Sequence, residues 1–224
     1  MQAADSAPAE VVFQRLAHDL RNGLGAILGW VAVLKRAPGA TPLMLQGIEA
    51  IERNAQLQYT ALEDLLDSAR LSTGQLKLNM SELEPAAVAR AALDEVRLHA
   101  FRCGVVLKPA RISDPACVVA DEPRLRRVVA TLLRSVIDAL PRGAGVQLGG
   151  KITDGSYEIR IGDAATSAAT EAANEKDQPV SAPLPSTLTL AAQLVQQHHG
   201  SLFATDGGAG PPRITLRLPL ARTA

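Results

Sequence analysis

Aromatic side chains are scarce in this 224-residue chain: three Phe, two Tyr and one Trp make up 3% of it. So few rings argue against a base-stacking surface and leave the cores to Leu, Val, Ile and Ala. Charge of one sign is lacking too, because 23 Lys and Arg balance 23 Asp and Glu. No basic excess points to nucleic acid. Apolar runs fall far short of the roughly 20 residues that span a bilayer. The opening "MQAADSAPAE" has neither the charged nor the apolar region of a signal peptide, so the expected location is the cytoplasm, without membrane contact by this segment. Only two cysteines occur, Cys103 and Cys117. With no nearby His or Cys pair noted in sequence, the expectation is two ordinary buried or half-buried thiols, no disulfide framework and no metal site.

What the chain has is two halves with different periods. From Phe13 the apolar residues Leu16, Leu20, Leu24, Ile27, Val31 and Leu34 recur in steps of three and four, the seam of a long amphipathic helix. "APGATP" stops it: Pro38 and Gly39 break the helix, and Thr41 with Pro42 reads as the cap and first turn of the next one. The second seam runs through Ile48, Ile51, Ala55, Gln58, Leu62, Leu65 and Ala69 to a stop at Gly74. A lone hairpin cannot cover such a stripe on both members. A second copy, completing a four-helix bundle across a two-fold axis, is the economical partner, with Gln58 a polar residue on the seam.

After Gly74 the pattern turns to mixed α and β. "QLKLNMSEL", "GVVLKPARI" and "ACVVAD" read as strands, and Pro85 to Ala100 as one helix. "EPRLRRVVATLLRSVIDAL" is a strong helix, followed by a hairpin turning at Asp154 and Gly155. Residues 164–186 are small, polar and proline-punctuated, a loop; "TLTLAAQLVQQHHG" is a helix, and the end a hairpin with a Gly-rich turn. The fold class is α+β: a helical hairpin, then an α/β sandwich. The expected boundaries are a linker over 1–10, the hairpin over 11–74 and the sandwich over 76–221.

"LAHDLRNGLG", residues 16–25, carries the chemistry-bearing group of the first helix. If Leu16 and Leu20 belong to the buried stripe, His18 points about 200° away from each, toward solvent. Asn22 lies one turn above it and Arg15 one turn below, with Asp19 on the flank. An accessible imidazole beside a carboxylate has the means to attack phosphorus, although a solvated face of mixed charges has the same spacing.

The stretch "FQRLAHDLRNGLGAILGWVAVLKR" resembles the phosphoacceptor box of sensor histidine kinases: His, an acid, two variable residues, then Asn or Thr. "IERNAQLQYTALEDLLDSARLSTGQLKL" is similar to the family's second helix and its exit into the ATPase-like domain. "DEPRLRRVVATLLRSVIDAL", "IRIGDAA" and "LTLAAQLVQQHHGSL" fall in order where the family has its N, G1 and G2 boxes. The resemblance covers residues 10–221. It implies a dimeric core with an ATPase-like domain of the Bergerat type, His18 as the phosphorylated histidine, Asp19 as the acid that polarises it and Asn22 as the residue that positions water in members with phosphatase activity. It also implies a response-regulator receiver domain as partner, docking on the face with Arg15 and Arg21. Gly23 stands where the family usually has a proline that kinks the helix.

The family's ATP and magnesium positions are eroded. In the N box, Ser135 stands for the metal-binding asparagine, Thr131 for an asparagine one turn earlier and Arg127 for a Gln or Glu, while Asp138 fits an acid seen in many N boxes. Asp163 keeps the adenine-contacting aspartate of G1, but Ala165 replaces a glycine, and Thr187 and Thr189 replace both glycines of G2. Glycine serves there for close backbone approach to phosphate, which β-branched threonine obstructs. Magnesium takes oxygen ligands in octahedral array and loses one at Ser135. The expectation is therefore a phosphorelay protein that exchanges phosphoryl groups between His18 and receiver aspartates, with no tightly bound cofactor, magnesium supplied by the receiver and autokinase activity weak or lost. The alternatives are a kinase core that still autophosphorylates His18, and a non-catalytic adaptor or a phosphatase. His198 and His199 match the His-Gly end of the family's G2 helix, a structural role.

Overall fold

The structure, a computed structural model, describes residues 6–112, 115–165, 186–205 and 213–221. The chain forms two compact units, Met1–Leu76 and Lys77–Ala224.

The first unit is a helical hairpin of α1 (Ser6–Leu34) and α2 (Pro42–Ser72). Helix α1 starts inside the segment expected to be a linker, because Ala-Pro-Ala-Glu suits a first turn in which proline's missing N–H costs nothing. Thr41 caps α2, its hydroxyl accepting the Met44 N–H at 3.3 Å, with Pro42 in the first turn. Gly74, at φ +68°, ends it: Gly74 N–H donates to Leu71 and Gln75 N–H to Arg70, the two bonds of a Schellman stop. Two ion pairs, Arg21–Glu63 at 2.7 Å and Lys35–Glu52 at 2.8 Å, join the helices in antiparallel register.

Apolar side chains buried in this hairpin are Ala17, Leu24 and Val31, in steps of seven, with Ile48, Ala55 and Leu66. The seam read from sequence is thus only partly internal to one chain. Leu16 and Leu20, expected to be buried, are each 57% exposed, and Ile27, Leu34, Ile51 and Leu65 are exposed beside them. Gln58 also faces solvent. One chain offers a single neighbour to each helix, so a second apolar stripe stays uncovered. Helix α1 runs unbroken through Gly23.

The second unit is a mixed sheet with helices. Strand β1 (Ser81–Leu83) pairs antiparallel with β4 (Val118–Ala120). Helix α3 (Pro85–Glu95) stops at Val96 and a separate α4 (Arg97–Cys103) follows, where one helix was expected. No Gly or Pro marks that break; Val96 is fully buried and turns the chain with its N–H still bonded to Ala92. The expected strand over "GVVLKPARI" is split into β2 (Val106–Leu107) and β3 (Arg111–Ile112), because Pro109 has no N–H for a ladder. Both pair in parallel with β5 (Gly145–Thr153). Strands β5 and β6 (Ser156–Asp163) form the expected hairpin, with Asp154 (φ 48°) and Gly155 (φ 74°) both left-handed as a two-residue turn requires. Helix α5 (Glu122–Ala139) precedes β5, and α6 (Ser186–Gln197) leads to β7 (Ser201–Thr205) and β8 (Arg213–Pro219). The main sheet runs β2-β5-β6-β8-β7, with β3 also on β5.

Tyr157, Ile159 and Ile161 alternate along β6 and are buried with Val146, Leu148, Leu216 and Leu218, while α5 packs between α3 and α6 and over β6 and β8. From the intervening position of β6, Glu158 is fully buried and clamped by Arg217 at 2.6 Å across the strand pair and Arg160 at 2.7 Å along it. The Arg217 guanidinium lies 4.6 Å over the Phe203 ring. Most of the expected loop, residues 166–185, and the Gly-rich turn, 206–212, lie outside the described residues.

Candidate functional site

His18 sits on α1 one position after buried Ala17, so a 100° step carries its ring onto the exposed surface. Asn22, one turn on, brings its amide nitrogen to 3.0 Å from His18 Nε2. An amide N–H only donates, so in this pairing Nε2 carries the lone pair and the ring proton sits on Nδ1. Asp19 is exposed on the flank. Arg21 is half-buried and spent across the hairpin: its Nε donates to Glu63 Oε1 at 2.8 Å, and that bond raises its pKa further. The guanidinium fixes α1 against α2 one turn from the histidine. The Arg15 side chain lies outside the described residues.

Arg127, Thr131, Ser135 and Asp138 follow one another on a single face of α5, the first three half-buried and Asp138 exposed. Hydroxyls and a guanidinium line that face, and the one carboxylate is turned away to His99, whose Nε2 lies 2.7 Å from Asp138 Oδ1. Asp163, at the end of β6, accepts the Ala165 N–H at 3.0 Å, and Ala165 itself is exposed. Thr189 is exposed on the first turns of α6; the Thr187 side chain lies outside the described residues.

Two arrangements were not paired from sequence: Asp121 with His198, and Cys103 with His99 and Asp138. Asp121, the buried N-cap of α5, accepts the N–H groups of Asn79 (2.9 Å) and Arg124 (3.2 Å) and the Arg124 guanidinium (2.6 Å). Burial alone would raise its pKa, but these donors bring it below the usual carboxylate value. His198 is buried at the end of α6, with Nδ1 2.7 Å from the Leu194 carbonyl and Nε2 accepting the Asp121 N–H at 3.1 Å. It is a neutral structural clasp between α5 and α6. The second feature is around Cys103, where His99 lies one turn away and Asp138 comes in from α5. Cys117, expected to be at least half-buried, is exposed. A His-x-x-x-Cys spacing was the available signal for the cluster.

No family model matches the chain. It is 25% identical over 151 residues to histidine protein kinase DivJ of Caulobacter vibrioides, covering 66% of this chain and 25% of that protein. It is 22% identical over 148 residues to sensor protein DivL of the same organism, covering 66% of this chain and 19% of that protein. A crystal structure of full-length ShkA in complex with AMPPNP superposes with a TM-score of 0.60 at 20% identity, covering 95% of this chain and 46% of that one. The chain has the fold of a sensor histidine kinase core. Its hairpin and its ATPase-like α/β unit follow in the order of that core, and the chain spans a quarter or less of the two curated relatives. Among the described residues no helix is long and apolar enough to cross a membrane.

Proposed function

We propose that this core takes part in two-component signalling by passing phosphoryl groups between His18 and the aspartate of a receiver domain, with ATP-dependent autophosphorylation weak or lost. The observation that carries the reading is a contrast. His18 stands exposed on a braced hairpin with a hydrogen-bonded neighbour one turn away. The α5 face that the resemblance assigns to magnesium nucleotide offers Arg127, Thr131 and Ser135, with Asp138 engaged by His99. A guanidinium repels a cation, and two neutral hydroxyls are a poor replacement for the amide and carboxylate oxygens that hold magnesium.

In the transfer, the lone pair of a neutral His18 ring nitrogen attacks phosphorus, the phosphorus–oxygen bond to the receiver carboxyl breaks, and the carboxylate leaves. The N–P bond forms as it goes, and the proton on the other ring nitrogen stays in place. Magnesium belongs to the receiver in this scheme. Attack through Nε2 requires Asn22 to release it, so Asn22 governs when the nucleophile is available. The exposed stripe of Leu16, Leu20, Ile27, Leu34, Ile51 and Leu65 is the surface for a second copy, giving a homodimeric four-helix bundle.

Labelling separates the readings. The chain is incubated with labelled ATP and magnesium, and separately with a panel of receiver domains phosphorylated by a small acyl phosphate. Label reaching the protein from a receiver and absent in His18→Gln supports phosphotransfer. Label from ATP overturns the claim that autokinase activity is lost. Loss of receiver phosphate with none on the protein points to hydrolysis assisted by Asn22, and no exchange at all leaves an adaptor.

A further inference from the structure

His99 and Cys103 stand one turn apart on α4, and Asp138 reaches them from the last turn of α5. Cys103 Sγ lies 3.8 Å from His99 Nε2 and 3.7 Å from Asp138 Oδ1, and these last two are 2.7 Å apart. Among the described residues this is the one place where three such donors come within 4.8 Å of one another.

The arrangement is not that of an activated cysteine nucleophile. In such a relay the carboxylate and the sulfur occupy opposite nitrogens of the imidazole. Here both approach the same Nε2, so the three donor atoms converge on one point. Burial and the Asp138 carboxylate also push the Cys103 thiol pKa up, opposite to what a nucleophile needs. A hydrogen bond between His99 and Asp138 accounts for two of the three groups, and the sulfur is engaged only by long contacts to the same two atoms.

Convergence on a point suits a cation. Zinc bonds of about 2.0–2.3 Å in a tetrahedron set the ligands about 3.3–3.6 Å apart. The two sulfur edges are already within a few tenths of an ångström of that, and only the hydrogen-bonded edge has to open. Nitrogen, sulfur and oxygen together suit borderline-soft zinc and not magnesium or calcium, which take oxygen. The ring and the carboxylate, with side chains 35% and 59% exposed, leave the site open to solvent.

We propose that His99, Cys103 and Asp138 form a zinc site with water as the fourth ligand. Zinc binds Cys103 as the thiolate, whose proton passes to solvent. The His99–Asp138 hydrogen bond, in which Nε2 carries the proton toward the carboxylate, is replaced by two bonds to the metal, and the neutral ring binds as its other tautomer with the proton on Nδ1. Thiolate and carboxylate neutralise the ion; the Arg142 guanidinium, which packs on Gly104 and acts electrostatically on Cys103, is the nearby cation that binding must overcome. The site lies wholly within the second unit, ties α4 to α5, and commits Asp138 to a metal other than that of a nucleotide.

The test uses the full chain, stripped with chelator and titrated with Co²⁺ and then Zn²⁺. The expected result is one ion per chain, a thiolate-to-cobalt charge-transfer band that zinc abolishes, and release of one proton near neutral pH. Cys103→Ser removes the band, His99→Gln and Asp138→Asn weaken zinc binding about 10- to 100-fold, and Cys117→Ser changes neither. Circular dichroism establishes that each variant is folded. Without any variant, zinc should slow alkylation of Cys103 while leaving Cys117 reactive. A missing band, a band that survives Cys103→Ser, or equal alkylation of the two thiols overturns the site.

Discussion

His198 Nε2 accepts the backbone N–H of Asp121 at 3.1 Å, so the end of α6 is fastened to the beginning of α5 through a neutral imidazole. Burial lowers the His198 pKa below its ordinary 6.5, and a protonated ring would present a donor to a donor. The unfolded chain takes up this proton first. The contribution of His198 to stability is therefore complete above about pH 6.5 and is lost as pH falls toward its folded-state pKa. Denaturant unfolding between pH 7 and 5 should show stability declining with acid, with a shallower decline in His198→Asn. Equal slopes would mean that other groups set the pH dependence.

Adjacent residues after α6 should respond in opposite directions. His199 holds φ 58°, a conformation that favours glycine, so His199→Gly should stabilise by about 0.5–1 kcal/mol. At Gly200 an added Cβ would meet the Arg217 carbonyl oxygen at 2.5 Å and Leu218 at 3.0 Å. Backbone cannot step aside there, and Gly200→Ala should destabilise by about 2 kcal/mol or more. Thermal denaturation of the two variants decides whether local conformation or close approach governs each position.

Glu158 is fully buried between Arg160 and Arg217. Removing the carboxylate leaves two guanidinium groups facing each other across the strands, although both are partly solvated. Glu158→Ala should cost about 2–4 kcal/mol, and Glu158→Gln less. A loss below 1 kcal/mol in urea unfolding would mean that solvent already carries the arginines.

The uncovered stripe on the hairpin gives an oligomerisation test. Leu20→Asp places a charge at a position 57% exposed in one chain, so it should be tolerated by a monomer and should break a dimer. Sedimentation should report a dimer for the parent chain and a monomer of unchanged helicity for the variant. If both sediment as monomers, the stripe serves another partner.

Much of this fold was legible because its punctuation is local. Thr41–Pro42, Gly74 and Asp154–Gly155 each announce a boundary through backbone chemistry that needs no tertiary context. The break at Val96 carries no such mark, since only burial of that side chain turns α3 into α4. Leu24 and Val31 were legible on the seam, but Ala17 was not, because it is small and the larger Leu16 and Leu20 beside it read as the buried residues. His18 and Asn22 could be paired from spacing alone. His99, Cys103 and Asp138 could not, because Asp138 comes from another helix and joins the pair only when α4 packs on α5.

Pro109 also shapes one margin of the main sheet. Beside β5 the sheet ends in two strands of two residues each, Val106–Leu107 and Arg111–Ile112, separated by three residues of which Pro109 has no N–H. The amides of Val106 and Lys108 already point inward, donating to Ala144 and Val146. An incoming extended peptide would find no continuous row of donors and acceptors, so that margin is barred to fibril-like growth.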